Sequence, residues 1–440
     1  MKKFLFFLLL AILMTPAYIA YTNPIPIYLR VGLTSDFSGR SSIELNNTTI
    51  FYGQYFLQSL GGFTVRPYGS HQVSLYDGSH RVRVFYDFTQ IRDAHGDMLW
   101  LDGRPYRGAI EFARLSGSGI TAINVISIEE YLFSVVPSEM PASWNSEALK
   151  AQAVASRTYA LRGSIHNGFD ICDSVHCQVY RGAEWEHEVS TQAVLATMGL
   201  ALYFDGELIE AVYFASSGGL TENSENVWLE ARPYLRSVAD IYEFEPVIWT
   251  RYFTLSELTN LLIQNNHSVG VSTGMSIGGF HPSGRVESLI IQGTEGDVVL
   301  TREEIRTFFS PSAYGALKSR NFTLGGGQVN LPERVAIFCG QQIFNMEAFG
   351  LYGITDQGIP KAMESFSATS GLAAVVYGKP QQQITTQGDL IAISGRGFGH
   401  GVGMSQRGAE GMAQQGYTFR EILEHFYTGA VVDNIFNSQH

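Results

Sequence analysis

"SIEEYLFSVVPSEMPASWNSEALKAQAVASRTYALRG", Ser127 to Gly163, is the stretch on which the reading of this chain turns. It opens as a short helix over 127–141, stopped by Pro137 and Pro141, because proline lacks an N–H and clashes with the preceding turn. A second helix follows, with Asn145 or Ser143 as N-cap, Glu147 in its first turn and Gly163 just beyond its end. Its alanines allow close packing against a neighbouring sheet. Glu139 lies near the end of the first, flanked by Val135, Val136, Pro137, Met140 and Pro141. A carboxylate among apolar neighbours is a candidate for a raised pKa, the state a general acid needs near neutral pH. The plainer alternative is a helix-terminal glutamate in solvent.

Upstream, Ile25 to about Arg107 is strand-like, with alternation in "IYLRVGL" (27–33) and a hairpin signal at Asp77-Gly78. "AIEFARLSGSGITAINVI" (109–126) reads as two strands around a Gly-rich turn. Downstream come a polar loop around Cys172, a helical stretch over 186–198, and strands in "ALYFDGELIEAVYFAS" (201–216) that turn at Asp205-Gly206. Residues 250–385 are mixed, with helices in "LSELTNLLI" and "TREEIRTFF" and a hairpin in "GRVESLIIQGTEGDVVLT". "TFREILEHFY" (418–427) is a last amphipathic helix. The sum is an α+β fold with mostly antiparallel strands, in place of an alternating doubly wound one. The expected divisions are a leader at 1–22, a β-rich segment at 23–107, a core at 108–249 and 386–440, and an inserted segment at 250–385.

A chain of 440 residues with 45% hydrophobic content can bury a sizeable core. Lys2 and Lys3 precede "FLFFLLLAILMTPAYIA", a basic then apolar stretch that reads as an export signal, either cut near Thr15 to Ala17 or kept as an anchor. Contact with a membrane is expected only there. The formal net charge of −12 argues against nucleic acid as a partner. Three cysteines are too few for a disulfide scaffold, and their odd number leaves at least one unpaired. Cys172 and Cys177 are neighbours, whereas Cys339 stands alone.

"GRGFGHGVGMSQ" (395–406) is the most conspicuous glycine pattern. Its spacing fits neither a dinucleotide fingerprint nor a phosphate loop, and no organic cofactor is implied. What remains is a backbone that turns sharply or approaches something closely, with His400 at its centre. His166, Cys172, His176 and Cys177 supply four nitrogen or sulfur donors within a short loop, enough for one closed, structural zinc site. A Cys172–Cys177 disulfide and free thiols are the alternatives. Ser216 and Ser217 in "ASSGG" lack the nucleophile-elbow spacing and read better as hydroxyls that bond sugar. Tyr180, beside the polar loop, is a candidate for sugar stacking.

Several blocks together closely resemble the stage II sporulation protein D family, SpoIID, and its LytB-type amidase-enhancer relatives. They are "YLFSVVPSEMPASWNSEALKAQAVASRTYAL", "RPYRGAIEF" (104–112), "CDSVHCQVYRG" (172–182), "YFASSGGLTENSENVW" (213–228), and the run from "GRGFGHGVGMSQRG" to "FYTGAVV". The resemblance implies peptidoglycan as substrate and a lytic transglycosylase activity on its glycan strands, with the glutamate of "SEMP", here Glu139, as the catalytic residue. It implies a cell-wall amidase as partner, and the rival role of a wall-binding amidase enhancer. Some relatives hold a metal in the Cys/His loop. Arg157 and Tyr159 are candidate glycan contacts or packing residues. Glu129, Glu130 and Glu147 read as helix-face charges, and Glu222 is a reserve acid. Many relatives carry a histidine near "YFAS", where this chain has Tyr213 and Phe214. His400, Ser405 and Gln406 are expected near the cleft, as substrate-positioning or structural residues.

Overall fold

The computed structural model describes residues 26–325, apart from Asp97, Ser116, Ser118, Ser164 and Ile165, and residues 390–436, with the backbone of four short strands between 334 and 362. The leader and the side chain of Cys339 lie outside the described residues. The fold is α+β, and its sheets are antiparallel except where Val31–Gly32 meets Ile171–Cys172 and Tyr213–Phe214 meets Met404–Ser405.

A seven-stranded and a six-stranded sheet carry the N-terminal part. Ile43 and Leu45 flank exposed Glu44, and Leu99 and Leu101 flank exposed Trp100, so the period-2 pattern sends one face inward. These residues and Val31, Ile50 and Ile110 belong to one apolar core. The hairpin signal at Asp77-Gly78 is met one residue on: Asp77 pairs with His80, which leaves Gly78 at φ +57° as first loop residue. At Asp205-Gly206 both residues have positive φ, +50° and +82°, as a tight two-residue turn requires.

The first helix runs Ile128–Glu139 and is capped by the Ser127 hydroxyl. Pro137 does not stop it. It lies in the last turn, where only one backbone bond is forgone, and Met140 N–H still closes onto the Val136 carbonyl. In the second helix, Ser146–Arg162, Asn145 is the N-cap and Gly163 ends it at φ +74°. This helix packs mainly against other helices, Ile128–Glu139, Glu188–Ala196, Gln406–Gln414 and Phe419–Phe426, and against the strands Leu200–Phe204 and Glu207–Leu208. Small side chains on several sides let four helices approach, so this helix forms the axis of the domain.

A second apolar core is built from Trp249 to Phe322 together with Ile391 and Ile393. Strand Leu390–Arg396, placed by sequence in the C-terminal part of the first core, lies between Ile248–Thr254 and Phe322–Leu324. The chain therefore leaves the first core near Val247 and re-enters it at the glycine-rich stretch.

Candidate active site

Glu139 ends the first helix with its carboxyl mostly buried. Oε1 accepts a hydrogen bond from the Val179 N–H at 2.8 Å. Burial pushes its pKa above the ordinary value, opposed by the Val179 bond, a bond from Tyr213 and the positive charge of Arg181. Tyr213 accepts at its hydroxyl from Gln178 Nε2 at 3.0 Å, and Gln178 Oε1 accepts from the Tyr131 hydroxyl at 3.1 Å. Tyr159 is partly buried in the same quarter, where desolvation lifts its phenol to about 12.

The glycine-rich stretch reaches Glu139 from the other side. Gln406 Nε2 donates to the Glu139 carbonyl at 2.9 Å and to Gln152 Oε1 at 3.3 Å. Strand Met404–Ser405 pairs with Tyr213–Phe214, and so sets the height of the Tyr213 ring. That close approach needs glycine: a Cβ on Gly403, at φ +76°, would lie 2.2 Å from the Val212 carbonyl oxygen, and one on Gly399 2.6 Å from Phe214 Cβ. His400 Nε2 lies 3.1 Å from the Tyr213 carbonyl, and its Nδ1 accepts from the Val402 N–H at 3.1 Å. Burial drives its pKa down to about 3, so it is a neutral imidazole packed between Phe214 and Trp228. Ser405 is buried and caps the following helix through Gly408 N–H.

The remaining candidates are committed elsewhere. Arg157 is fully buried; it forks onto Glu129 at 3.0 and 2.6 Å and also reaches the Leu200 carbonyl. The Tyr180 hydroxyl donates to Asn124 Oδ1 at 2.6 Å while its ring stacks on Tyr131. Ser216 and Ser217 are buried, and both donate to Glu243. Glu222, also buried, accepts from Asn223 N–H, Asn226 and Ser283, and so ties the inserted unit to the first core. Glu130 accepts from Ser127 and Glu147 pairs with Lys150.

Beside the site, His166, Cys172, His176 and Cys177 converge, with one donor atom from each within 4.8 Å of the others. No disulfide joins Cys172 to Cys177. His166 Nε2 is 3.1 Å and His176 Nδ1 3.4 Å from Cys177 Sγ, and Cys172 Sγ is 3.7 Å from His176 Nδ1. A tetrahedral zinc with bonds of about 2.0–2.3 Å holds its donors roughly 3.3–3.8 Å apart, and these three separations lie at or close to that range, so the donor types and their spacing suit that ion. The Ile171–Cys172 strand anchors the loop against Val31–Gly32, and Asp173 accepts from Thr34 and Ser35. From Cys177 the chain runs directly into Gln178 and Val179, the residues that touch Tyr213 and Glu139.

Sequence reasoning missed Arg181 and Trp185, whose side chains stack with the guanidinium carbon 4.0 Å from the ring. It also missed an acidic pair, buried Asp240 with half-buried Glu243. Asp240 faces Ser217, Ser405 and Arg285, and burial together with Glu243 pushes its pKa up to about 7.

The family model described as SpoIID, stage II sporulation protein, matches residues 116–204. The chain is 30% identical over 403 residues to the amidase enhancer of Bacillus subtilis (strain 168), covering 90% of this chain and 54% of that protein. It thus spans about half the length of that relative. It is 32% identical over 347 residues to an uncharacterized protein of Brachyspira hyodysenteriae (strain ATCC 49526 / WA1), covering 77% of this chain and 75% of that one. Stage II sporulation protein D of Bacillus subtilis (strain 168) is 28% identical over 334 residues, with 71% and 76% covered.

Proposed function

The chain belongs to the SpoIID family, and from that membership and the surroundings of Glu139 we propose that it is a peptidoglycan lytic transglycosylase. The observation that carries the reading is one carboxyl with a raised pKa, held at Oε1 by the Val179 N–H at the end of the first helix. Most glycosidases that use water need two carboxyl groups flanking the bond. One suffices when the nucleophile is the sugar's own 6-hydroxyl. Protonated Glu139 gives its proton to the glycosidic oxygen as the C1–O bond breaks. The resulting carboxylate takes the proton of the 6-hydroxyl as that oxygen bonds to C1, which closes a 1,6-anhydro ring and restores the acid. The Val179 N–H, Arg181 and Tyr213 steady the anionic form between the two steps.

The Cys/His cluster is assigned one structural zinc, held by His166, Cys172, His176 and Cys177. Four protein donors would leave the ion no open position to activate water, so its contribution is to hold the loop that carries Gln178 and Val179. The wall substrate places the protein in the cell envelope, exported through its N-terminal segment; no helix among the described residues is long and apolar enough to cross a membrane.

Incubation of purified glycan strands with wild type and Glu139→Ala, followed by mass spectrometry, tests the activity. Wild type is expected to yield anhydro-muramoyl ends and the variant none; equal yields would sink the assignment. A second reading, a wall-binding enhancer of an N-acetylmuramoyl-L-alanine amidase, is favoured by the relative named amidase enhancer, whose match covers 90% of this chain. Equal stimulation of a partner amidase by wild type and Glu139→Ala, with no anhydro product from either, would establish it.

A further inference from the structure

The turn that follows the Cys/His cluster is clamped more firmly than a surface loop needs to be. Arg181 N–H donates to Ser134 Oγ at 3.1 Å, on the helix that ends in Glu139. Gly182, at φ +72°, lies so close to the sheet that a Cβ there would meet the Pro105 carbonyl oxygen at 2.7 Å. At the far end Arg107 forks onto Glu186 at 2.6 and 2.7 Å. Between these clamps two large side chains face solvent: Arg181, and Trp185 at 47% exposure.

The Arg181 guanidinium lies over the indole and forms no ion pair among the described residues. Its backbone is tied to the helix that ends in Glu139, and its charge is felt at that carboxyl, so it lies near the candidate active site. An indole with one open face stacks on the C–H face of a pyranose. A guanidinium over the other face is the group that grips a carboxylate in two-point fashion. A rigid turn that presents both, next to the proton donor, is organised before ligand arrives, so little ordering cost falls on binding.

We propose that Arg181 and Trp185 form a specificity subsite for a sugar bearing a carboxylate, adjacent to the bond that Glu139 protonates. This rests on the transglycosylase reading of the same site. The carboxylate has two sources in peptidoglycan: the lactyl group of a muramoyl residue freed of its peptide, or the acidic residues of an intact stem peptide.

Equilibrium binding is measured with the full chain carrying Glu139→Gln, so that no cutting occurs. The probes are peptide-free glycan strands, peptide-bearing strands and neutral N-acetylglucosamine oligomers. Adding Arg181→Ala is expected to weaken binding of a carboxylate-bearing strand about tenfold, as for loss of one charge-assisted contact, and to leave the neutral oligomer unaffected. Trp185→Ala is expected to weaken all the probes that bind wild type. The carboxylate-bearing strand on which the Arg181 effect falls identifies the source. In turnover, Arg181→Ala alone should raise KM more than it lowers kcat, and should carry the loss of activity at high pH to a higher pH, because a cation that favours ionised Glu139 is gone. Arg181→Lys should recover part of each effect. Affinity for both carboxylate-bearing strands within twofold of the parent overturns the subsite. Strand binding that depends on Arg181, by a wild type that makes no anhydro product, would sink the transglycosylase reading and leave the subsite standing.

Discussion

Arg157→Met is the substitution that most sharply separates support of the fold from contact with glycan. Wild-type Arg157 has no exposed side-chain surface, and its partner Glu129 has 16%. Methionine keeps much of the stem's volume but removes the charge, which strands Glu129 and leaves the Leu200 carbonyl without its 3.1 Å donor. Breaking a buried ion pair from one side costs about 3–5 kcal/mol. Glu129 retains a bond from Gly199 N–H at 3.1 Å, which favours the lower end, about 3 kcal/mol. Spread over a domain of this size, that is a fall of roughly 6–12 °C in the melting temperature of the first core. Calorimetry on wild type, Arg157→Met, Glu129→Gln and the double variant gives the cycle, and the double variant should recover more than half of the loss. A single variant that melts within about 2 °C of wild type but binds glycan tenfold more weakly would show that Arg157 serves the substrate.

The other predictions concern charge and metal. Asp240 has a folded pKa near 7, above its unfolded value, so folding favours its protonated form; that stabilisation is present below about pH 4 and lost as pH rises through 7. Asp240→Asn should therefore flatten the pH dependence of stability by on the order of 2–4 kcal/mol between pH 4 and 8, read from denaturant melts; parallel curves would refute it. His400 has the opposite sign: its folded pKa lies below the unfolded one, so its contribution is present above pH 6.5 and lost as pH falls towards 3. Nitrogen NMR of the imidazole should show it neutral at pH 5, and a protonated ring at that pH would contradict the packing. Metal analysis should find one zinc per chain, lost in Cys177→Ser, with faster hydrogen exchange at the Val179 amide after chelation. Unchanged exchange would detach the metal loop from Glu139.

Legibility in the sequence followed the range of the interaction. Asn145, Gly163 and the Asp205-Gly206 turn act within a few residues, and their signals are local. Glu139 stood out because its apolar neighbours are adjacent along the chain as well as in space. Strand Leu390–Arg396 was misplaced because its partners, Ile248–Thr254, lie far back in the chain and no local pattern records the pairing. Tyr213 and Arg181 come near Glu139 through tertiary packing alone. The block "CQVYRG" contains Arg181, but only the fold shows it without an ion pair among the described residues. The burial of Arg157 was hidden for the same reason, since an arginine on an alanine-rich helix looks exposed until four neighbouring helices close around it.

Cleavage of peptide-free glycan strands in water enriched in oxygen-18 tests the central claim most directly. The claim is that Glu139 acts alone and the sugar supplies the nucleophile. The new ends formed at C1 by wild type should then be non-reducing 1,6-anhydro sugars with no heavy oxygen, and Glu139→Gln should form none. Heavy oxygen at the new ends would mean that water attacks, and the one-carboxylate mechanism would be wrong.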